Sequence, residues 1–411
     1  MGHLPETLIP RPAAAEEFGE LVRFLDSVFR AGRTQSMQQL FPNLYRPELA
    51  GRNLVITDAG RIVHATGVFP IPFRVRAAGA VSRWSLAGLG GVSTFPPYRG
   101  KGLMTKGLHA AVERMRAEGL ALSALWGDRQ RYGHFGWEEA GMCCVAGVTA
   151  RSLPPEQTAR LASWERVAGP ADPRLATVAD LDGARDTGAD RDRAAWQLLS
   201  SRLGFDVYLA RSRDDEHAAA FLVGLRAPDT PDVGRVTELG GASSLWAPMV
   251  RRWMEQEGLT ETEIHLDPLL LAAAEELLQY AASARIMPTA MVRVLDLERL
   301  LAGYQPVLAA RARRFGLSAP LALRLETTDS TAAACIEIDA TGALRIGPAA
   351  GAGIAASTIR LDRRAMSLFL FGPYRPAWDR LCAGQTVAAP SLLLARALFP
   401  LPLFIPEINR V

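Results

Sequence analysis

The sequence predicts an α+β protein built from three consecutive units. Short apolar runs typical of strands recur along the whole chain, and stretches with apolar residues three or four positions apart, typical of helices, separate them. The chain has 411 residues, and at about 150 residues per domain this length suggests two or three domains. A Pro-, Ala- and charge-rich stretch and a later change of pattern near residue 291 mark the boundaries. The predicted units are 1–150, 151–290 and 291–411.

In the first unit, alternating and apolar runs predict strands, and helical spacing predicts two helices. The helices cover 17–29 and 103–117, and Gly119 is placed to end the second of them. The predicted strands lie at 54–57, 62–69, 73–75, 81–92, 120–126 and 142–149.

The other two units also mix helices and strands. In the second unit, strands are predicted at 207–210, 219–225, 233–239 and 263–266, and helices at 194–203, 245–257 and 268–281. In the third unit, antiparallel strands are predicted at 321–326, 334–339 and 343–347, after a first strand at 291–295. Its predicted helices lie at 298–302, 306–314, 361–371, 376–383 and 388–398.

Composition argues against several classes of protein. Lys and Arg total 46 against 43 Asp and Glu, a balance that does not favour nucleic acid or an anionic membrane as a partner. Cys143 and Cys144 are adjacent and Cys335 and Cys382 are isolated, so no disulfide framework is expected. The N-terminus lacks the apolar core of a secretory signal, and no apolar run reaches the length of about 18 residues typical of a membrane span. We therefore expect a cytoplasmic protein without a membrane span.

A turn rich in glycine and cationic residues joins a predicted strand to the helix over 103–117. Its sequence is Tyr98-Arg99-Gly100-Lys101-Gly102. The first amides of a helix have no partner within the helix, and the helix dipole adds positive charge there. Glycines let a phosphate approach the backbone, so the turn predicts a diphosphate site. The same string also fits a flexible polar turn, and it matches neither the dinucleotide fingerprint nor the nucleoside-triphosphate loop.

The strand, turn and helix together resemble the acetyl-CoA site of the GNAT superfamily of N-acetyltransferases. Gly100 and Gly102 match the family pattern Gln/Arg-x-x-Gly-x-Gly/Ala, whereas Pro97 stands where Gln or Arg is usual. The resemblance implies that the strand splays from its neighbour and that its backbone pairs with the pantetheine arm. The cofactor-binding residues implied in this way are Val92, Ser93, Thr94, Arg99, Gly100, Lys101, Gly102 and Leu103.

A second motif, residues 131–137, narrows the resemblance. Its sequence Arg-Tyr-Gly-His-Phe-Gly-Trp resembles the Tyr-Gly-x-Phe-Gly-Tyr/Trp signature of Eis-like (enhanced intracellular survival) acetyltransferases. The resemblance implies tandem GNAT-type mixed α/β domains over 1–150 and 151–290, then a sterol-carrier-protein-like α+β domain over 291–411, and a homo-hexamer. The middle unit has no Gly-x-Gly turn that opens a helix, so we expect one cofactor site per chain.

The resemblance also implies two catalytic groups, Tyr132 as general acid and the carboxylate of Val411 as base. Many GNAT enzymes take the base from the splayed strand, but residues 85–94 contain no Asp or Glu. The segment 397–406 is too apolar to be left in water, so we expect it to pack and to place Val411. The competing interpretations are a packed aromatic at Tyr132 and a frayed chain end at Val411, where the family often has Phe.

Other residues carry weaker signals. Trp84 and Trp126 flank the acetyl site in sequence and are candidates for lining the amine pocket, with burial in the core as the alternative. His109 and His134 are expected to be structural or exposed. The six histidines lack metal-ligand spacing, so no metal site is predicted.

These expectations combine into one predicted function and one alternative. The prediction is direct transfer of acetyl from acetyl-CoA to a primary amine in a ternary complex, the amine being an aminoglycoside-like polyamine or a lysine side chain. The alternative is a non-catalytic lipid- or acyl-CoA-binding protein that uses the C-terminal domain.

Overall fold

A computed structural model describes residues 8–226, 230, 232–317, 320–348, 357–373 and 383–411. The helix predicted over 376–383 lies outside these ranges except for its last residue, and Cys382 lies outside them as well. Three β-sheets with helices on their faces make up the described structure. In this part of the chain, no helix combines the length and apolarity needed to cross a bilayer.

The first sheet has eight strands, and a long antiparallel hairpin forms its centre. The separately predicted strands at 62–69 and 73–75 are one continuous strand, Arg61–Ala77, which pairs with Ala80–Thr94. The spatial order is Arg11–Pro12, Asn53–Asp58, Arg61–Ala77, Ala80–Thr94, Leu122–Leu125, Ala290–Val294 and Glu138–Ala140, with Thr187–Ala189 also beside Arg61–Ala77.

The second sheet has seven strands. Its pairs are antiparallel except for Val233–Gly241 with Glu261–Leu266. The order is Ser283–Met287, Cys143–Thr149, Glu261–Leu266, Val233–Gly241, Ala219–Arg226, Phe205–Ser212 and Leu161–Arg166. The strand Ser283–Met287 was not predicted, because every one of its residues is exposed and it therefore carries no apolar pattern.

The third sheet has four strands, in the order Leu344–Gly347, Ala333–Ile338, Leu321–Thr327 and Ser357–Leu361. The last of these pairs parallel to Leu321–Thr327 and was not predicted. The helices Leu297–Gly303, Gln305–Arg314, Arg363–Phe371 and Ala389–Leu398 accompany this sheet in the chain. Asp296 and Asp362 start two of them by accepting a hydrogen bond from a backbone amide of the first turn.

The helices predicted in the first two units lie close to their predicted positions, with one exception. The predicted helix 268–281 is broken into the short turn Pro268–Leu270 and the helix Glu275–Leu278. The other predicted helices are Phe18–Phe29, Leu103–Ala117, Arg193–Leu199 and Trp246–Glu257. The helices Met37–Leu40, Arg129–Gly133 and Arg174–Gly183 were not predicted. Short 3₁₀ turns lie at Ala15–Glu17, Pro47–Arg52, Pro96–Tyr98, Pro155–Arg160, Ser243–Leu245 and Glu407–Asn409.

The sheets exchange strands across the predicted unit boundaries. Cys143–Thr149 precedes residue 150 but pairs within the second sheet, next to Glu261–Leu266. Ala290–Val294 follows the second sheet in sequence but inserts into the first sheet, between Leu122–Leu125 and Glu138–Ala140. Both strands are buried apolar segments whose sequence suits either sheet, so tertiary pairing decides where they belong. The division into three units stays a prediction.

The last residues of the chain contact parts of the molecule that lie far apart in sequence. Leu401, Leu403 and Ile408 are fully or almost fully buried, which confirms the predicted packing of the apolar chain end. Leu403 accepts a hydrogen bond from the amide of Met142, and the hydroxyl of Tyr304 donates to the carbonyl of Pro402 at 2.8 Å. These two bonds join the tail to the first and the third predicted units.

A buried network of charged side chains lies beside this tail. Arg191 is 5 % exposed and donates to the buried carboxylates of Asp182 and Glu238 at 2.6–2.9 Å. Arg191 also donates to Oδ1 of Asn409 in the tail at 2.9 Å. Because buried charges are tolerated only when they are paired, this network makes Arg191 necessary for the fold.

Replacing Arg191 with Met removes the buried cation that bonds to both carboxylates and leaves Arg185 as the one shared partner among the described residues. We expect a loss of about 3–5 kcal/mol in the free energy of unfolding, seen as a lower midpoint in scanning calorimetry. Arg285→Met is the matched control, because its ion pair with Glu263 is partly exposed and is worth less than about 1 kcal/mol. Equal midpoints for the two variants would contradict the prediction.

Candidate active site

Two neighbouring strands separate to open a cleft in the first sheet. Ala80–Thr94 and Leu122–Leu125 pair in parallel only at Ala87 with Ser123 and at Gly88 with Ala124. Beyond this point a β-bulge shifts the register of Ala80–Thr94, and Gly91 adopts a φ of +60° within it. A bulge bends its strand, so the strand end separates from Leu122–Leu125 and lines the cleft, while Ser93 and Thr94 still pair with Ala65 and His64.

One part of the cleft is a cavity of about 540 Å³ beside the glycine-rich turn. Gly100 and Gly102 adopt φ angles of +73° and +79°, a region that favours glycine. The helix Leu103–Ala117 starts directly after Gly102, so its first amides face this region. The predicted cofactor residues that line the cavity are Val92, Ser93, Thr94, Arg99, Gly100, Gly102 and Leu103.

Lys101 is the one predicted cofactor residue that does not line this cavity. Its ammonium lies over the ring of Tyr98, 5.0 Å from the ring centre. The hydroxyl of Tyr98 in turn donates to a carboxylate oxygen of Asp58 at 2.5 Å. The side chain of Lys101 therefore packs on Tyr98 and supports the turn, and only the backbone amide of Lys101 remains as a donor within the turn.

A buried histidine that sequence reasoning missed orients the end of the splayed strand. His64 is fully buried, and its two ring nitrogens lie 2.9 Å from the hydroxyls of Thr94 and Thr66. Burial lowers the pKa of His64 to about 4, so the ring is neutral near pH 7. An isolated histidine in an apolar strand carries no sequence signal for this role.

A second cavity of about 440 Å³ lies on the other side of the splayed strand end. Phe29, Val92 and Arg131 line both cavities, which makes them two parts of one cleft. Tyr132, Trp126 and Val411 line the second part. The structure therefore brings together the phosphate-type turn, the signature tyrosine and the chain terminus, which lie far apart in sequence.

Tyr132 lies on the short helix Arg129–Gly133, which Asp128 caps through the amides of Gln130 and Arg131. Its ring packs so closely on Gly127 that a Cβ at that position would lie 2.5 Å from the ring. Burial raises the pKa of Tyr132, while the nearby Arg131 lowers it. The phenol is therefore protonated near pH 7 and can donate.

The signature turn is anchored from both sides. Trp137 is fully buried and its indole nitrogen donates to the hydroxyl of Ser123 at 3.2 Å. Glu138 is 2 % exposed and pairs with Arg129 of the first unit and Arg364 of the third. These contacts explain why the aromatic and glycine residues of the signature occur together, since the turn must pack tightly to hold Tyr132.

The carboxyl end of Val411 lies directly over the splayed strand. A Cβ at Gly90 would lie 2.8 Å from the carboxyl carbon of Val411, and a Cβ at Gly88 would lie 2.8 Å from its side chain. The glycines at these positions therefore leave the space that the chain terminus occupies.

Arg202, which lies in the second predicted unit, holds the tail in this position. Arg202 is 5 % exposed, and its Nη1 donates to the carbonyl of Arg410 at 3.0 Å and to that of Ile408. Its guanidinium lies over the rings of Phe41 and Phe205, at 4.5 and 5.0 Å from the ring centres. A buried arginine bound to backbone carbonyls has no motif of its own, so the sequence did not reveal it.

The two candidate tryptophans have different positions. Trp126 lines the second cavity, where its indole nitrogen donates to the carbonyl of Thr289 at 2.9 Å. Trp84 lies instead in a cluster with Phe73 and Tyr304, with ring centres 5.2 and 5.7 Å apart, and Gly303 packs against its indole. Trp84 thus lies where the strand Ala80–Thr94 of the first sheet packs against the helices Leu297–Gly303 and Gln305–Arg314.

Within the described ranges, no group of three or more His, Cys, Asp or Glu side chains is arranged to hold a metal ion. Cys143, Cys144 and Cys335 are buried free thiols.

Gly90→Ala should displace the chain terminus, because the added methyl group would overlap the carboxyl carbon of Val411. Overpacking of this kind costs about 1–3 kcal/mol, so we expect faster hydrogen–deuterium exchange in peptides from 400–411. Gly183→Ala is the matched control, since a Cβ there meets no atom within 4 Å. The same exchange rates in both variants would show that the terminus does not lie against Gly90.

Known proteins share sequence and fold features with this chain. Residues 10–140 match the sequence model of the acetyltransferase (GNAT) domain. No curated protein matches the sequence. Solved structures match over almost the whole chain, among them a GCN5-related N-acetyltransferase from Kribbella flavida at 18% identity and a TM-score of 0.66, covering 98% of each chain.

Two further structures show the same likeness. A GCN5-related N-acetyltransferase from Anabaena variabilis is 18% identical, with a TM-score of 0.66 over 96% of this chain and 98% of that one. Eis1 from Mycobacterium abscessus is 15% identical, with a TM-score of 0.62 over 96% and 98% of the two chains. These likenesses establish a shared fold. Together with the domain match, they mean that the chain carries a GNAT acetyltransferase domain and is an acyltransferase.

Proposed function

We propose that this chain is an N-acetyltransferase that moves the acetyl group of acetyl-CoA directly onto a primary amine. The observation that carries the proposal is that Tyr132 and the Val411 carboxylate line one end of a cleft whose other end is the glycine-rich turn. A thioester bound along the splayed strand would therefore place its acetyl group near both an acid and a base.

In this proposal the turn holds the pyrophosphate of the cofactor. The amides of residues 99–103 and the guanidinium of Arg99 supply the donors, as expected for a diphosphate at a helix start. The backbone of Val92, Ser93 and Thr94 pairs with the pantetheine arm, and a backbone N–H of this strand end donates a hydrogen bond to the tetrahedral oxyanion. His64 contributes by fixing the hydroxyl of Thr94.

The carboxylate of Val411 serves the amine. A chain-terminal carboxyl has an ordinary pKa of about 3.5, so it is a weak base for a free ammonium. It is suited to attract the ammonium into the cavity, where the ammonium releases one proton to solvent before the neutral amine attacks. The carboxylate then accepts, through a water, the second proton, which the nitrogen loses once its bond to the acetyl carbon has formed. Asp128 lines the same cavity and adds a second negative charge on the amine side.

Tyr132 serves the leaving thiolate. Ordinary pKa values of about 10 for a phenol and about 8.5 for a thiol make full proton transfer uphill by about 2 kcal/mol. Burial raises the pKa of Tyr132 further, whereas Arg131 opposes that rise. We therefore expect Tyr132 to hydrogen-bond the sulfur as the C–S bond breaks and to complete the transfer only as the thiolate forms.

The acceptor proposed is an aminoglycoside-like polyamine or a lysine side chain. Aromatic side chains, Phe29, Phe41 and Trp126, line the cavity around the two carboxylates. Such a site combines an apolar wall with two carboxylates that can pair with a cationic amine, and Arg30 and Arg131 line it as well. The resemblance adds a sterol-carrier-protein-like fold for 291–411, a homo-hexamer and a cytoplasmic location. The hexamer is tested by measuring the mass of the particle by light scattering and comparing it with the chain mass of 44.4 kDa.

The alternative, a lipid- or acyl-CoA-binding protein without catalysis, needs free apolar space in the third unit. The tail instead packs its own apolar side chains there, with the amide of Leu401 bonded to the carbonyl of Leu370. Leu370, Leu398 and Phe399 are almost fully buried in the same cluster. This packing favours the enzyme. The enzyme is tested by mixing the protein with acetyl-CoA and a panel of amines and measuring the release of thiol. The absence of turnover with every amine, together with no binding of acetyl-CoA, would refute the proposed activity.

Tyr132→Phe should lower kcat by about 100-fold and leave the Kd of acetyl-CoA unchanged, because the hydroxyl acts only on the leaving group. Thiol release and calorimetric titration measure the two quantities. Tyr208→Phe, in the second sheet, is the matched control and should leave kcat unchanged. Unchanged kcat in Tyr132→Phe would remove the tyrosine from the mechanism.

Adding a few glycine and serine residues after Val411 should abolish turnover, because the carboxylate then moves out of the cleft. Val411→Ala keeps a terminal carboxylate at the same position and is the matched control, for which we expect at most a modest loss of kcat. Thiol release at saturating acetyl-CoA measures both. Full activity in the extended chain would exclude the terminus as base.

A further inference from the structure

A small polar pocket lies behind the signature turn, outside the cleft described above. Its volume is about 240 Å³, and three arginines, two histidines and one glutamate line it: Arg116, Arg293, Arg363, His109, His134 and Glu113. These residues come from the helix Leu103–Ala117, the signature turn, the inserted strand Ala290–Val294 and the helix Arg363–Phe371. The proposed reaction uses none of them.

Arg293 is the unusual member of this set. It is 5 % exposed, its Nη1 donates to the carbonyl of Phe135 at 2.5 Å, and its guanidinium lies over the ring of Trp137 at 5.0 Å. Its Nε is buried and has no hydrogen-bond partner. Among the described residues, no carboxylate lies within ion-pair distance of it. Arg293 is thus a buried cation that lines the pocket and has no carboxylate partner of its own among the described residues.

The neighbouring arginines do not lack partners. Arg116 pairs with Glu113 at 2.9 Å, and Arg363 pairs with Asp329 at 2.8 Å. Burial lowers the pKa of Arg293 to about 10, and repulsion from Arg363 and Arg116 adds to the effect. The surplus charge of the pocket is therefore that of Arg293, and an anion in the pocket would interact favourably with all three arginines.

We propose that this pocket binds a small oxyanion, namely a phosphate group, with Arg293 as its central ligand. A planar guanidinium with unused N–H groups matches a tetrahedral oxyanion. The imidazoles of His109 and His134 also line the pocket and supply further donors. A volume of about 240 Å³ holds a phosphate group and a small substituent, and it is too small for a coenzyme.

The pocket is built on the signature turn itself. Phe135 bonds to Arg293 through its carbonyl and contacts the ring of His109, with ring centres 6.0 Å apart. Gly136 packs on the side chain of Arg363, where a Cβ would lie at 3.6 Å. The ligand would therefore contact the turn from the face opposite the acetyl-transfer cleft, and binding to this pocket does not require that the proposed acetyl transfer is correct.

The test is a titration with inorganic phosphate at constant ionic strength, with chloride as the reference salt. Because the glycine-rich turn could also bind phosphate, the readout must be local. The imidazole NMR resonances of His109 and His134, assigned from His109→Gln and His134→Gln, should shift in a saturable way. The exposed His217 should not shift. No saturable shift of His109 or His134, or an equal shift with chloride, would overturn the proposal.

Variants locate the site. Arg293→Met keeps the contact with Trp137 and removes the charge, and we expect phosphate affinity to fall at least tenfold. Arg116 is partly exposed, so Arg116→Gln should fold normally and weaken binding several-fold, which tests the pocket even if Arg293→Met is unstable. Arg285→Met, in the second sheet, should bind as the parent chain does. Parent-like affinity in both pocket variants would overturn the proposal.

Discussion

The structure depends on the burial of one apolar segment, the tail formed by residues 399–411. Leu401, Leu403 and Ile408 lose nearly all contact with water, and burial of apolar surface is worth about 25 cal/mol per Å². The same segment bonds to Met142, Tyr304 and Arg202, which belong to three different parts of the chain. The first two sheets also exchange strands across the predicted unit boundaries. The tail therefore adds further contacts between parts of the chain that are already joined through their strands.

The position of the chain terminus explains an oddity of the splayed strand. Residues 85–94 lack any carboxylate and are rich in glycine. The two features are complementary, because Gly88 and Gly90 leave the volume that Val411 fills and the terminus supplies the carboxylate that the strand lacks. A side-chain base at Gly90 would exclude the tail sterically, so in the proposed mechanism the strand and the tail offer one base between them.

Two buried arginines that have no carboxylate partner within the described part of the chain show how differently the same group can be used. Arg202 is satisfied by backbone carbonyls of the tail and by two aromatic rings, so it serves the fold and the placement of Val411. Arg293 has one carbonyl, one aromatic ring and an unpaired Nε that is buried. Arg202 is therefore interpreted as a structural arginine, and Arg293 as a candidate ligand-binding one, because only Arg293 keeps a buried N–H group without a hydrogen-bond partner.

The sequence by itself determined the local features: the helix over 103–117, the glycine-rich turn before it, the signature around Tyr132 and an end of the chain too apolar for water. Each depends on residues that are close in sequence, through helical periodicity or glycine conformation. Only the tertiary structure decided that Cys143–Thr149 and Ala290–Val294 change sheets, that Trp84 lies away from the cleft, and that His64, Arg202 and Arg293 matter. Strand partners and buried charges are chosen by contacts between distant segments, and a single sequence does not encode those contacts as a local pattern.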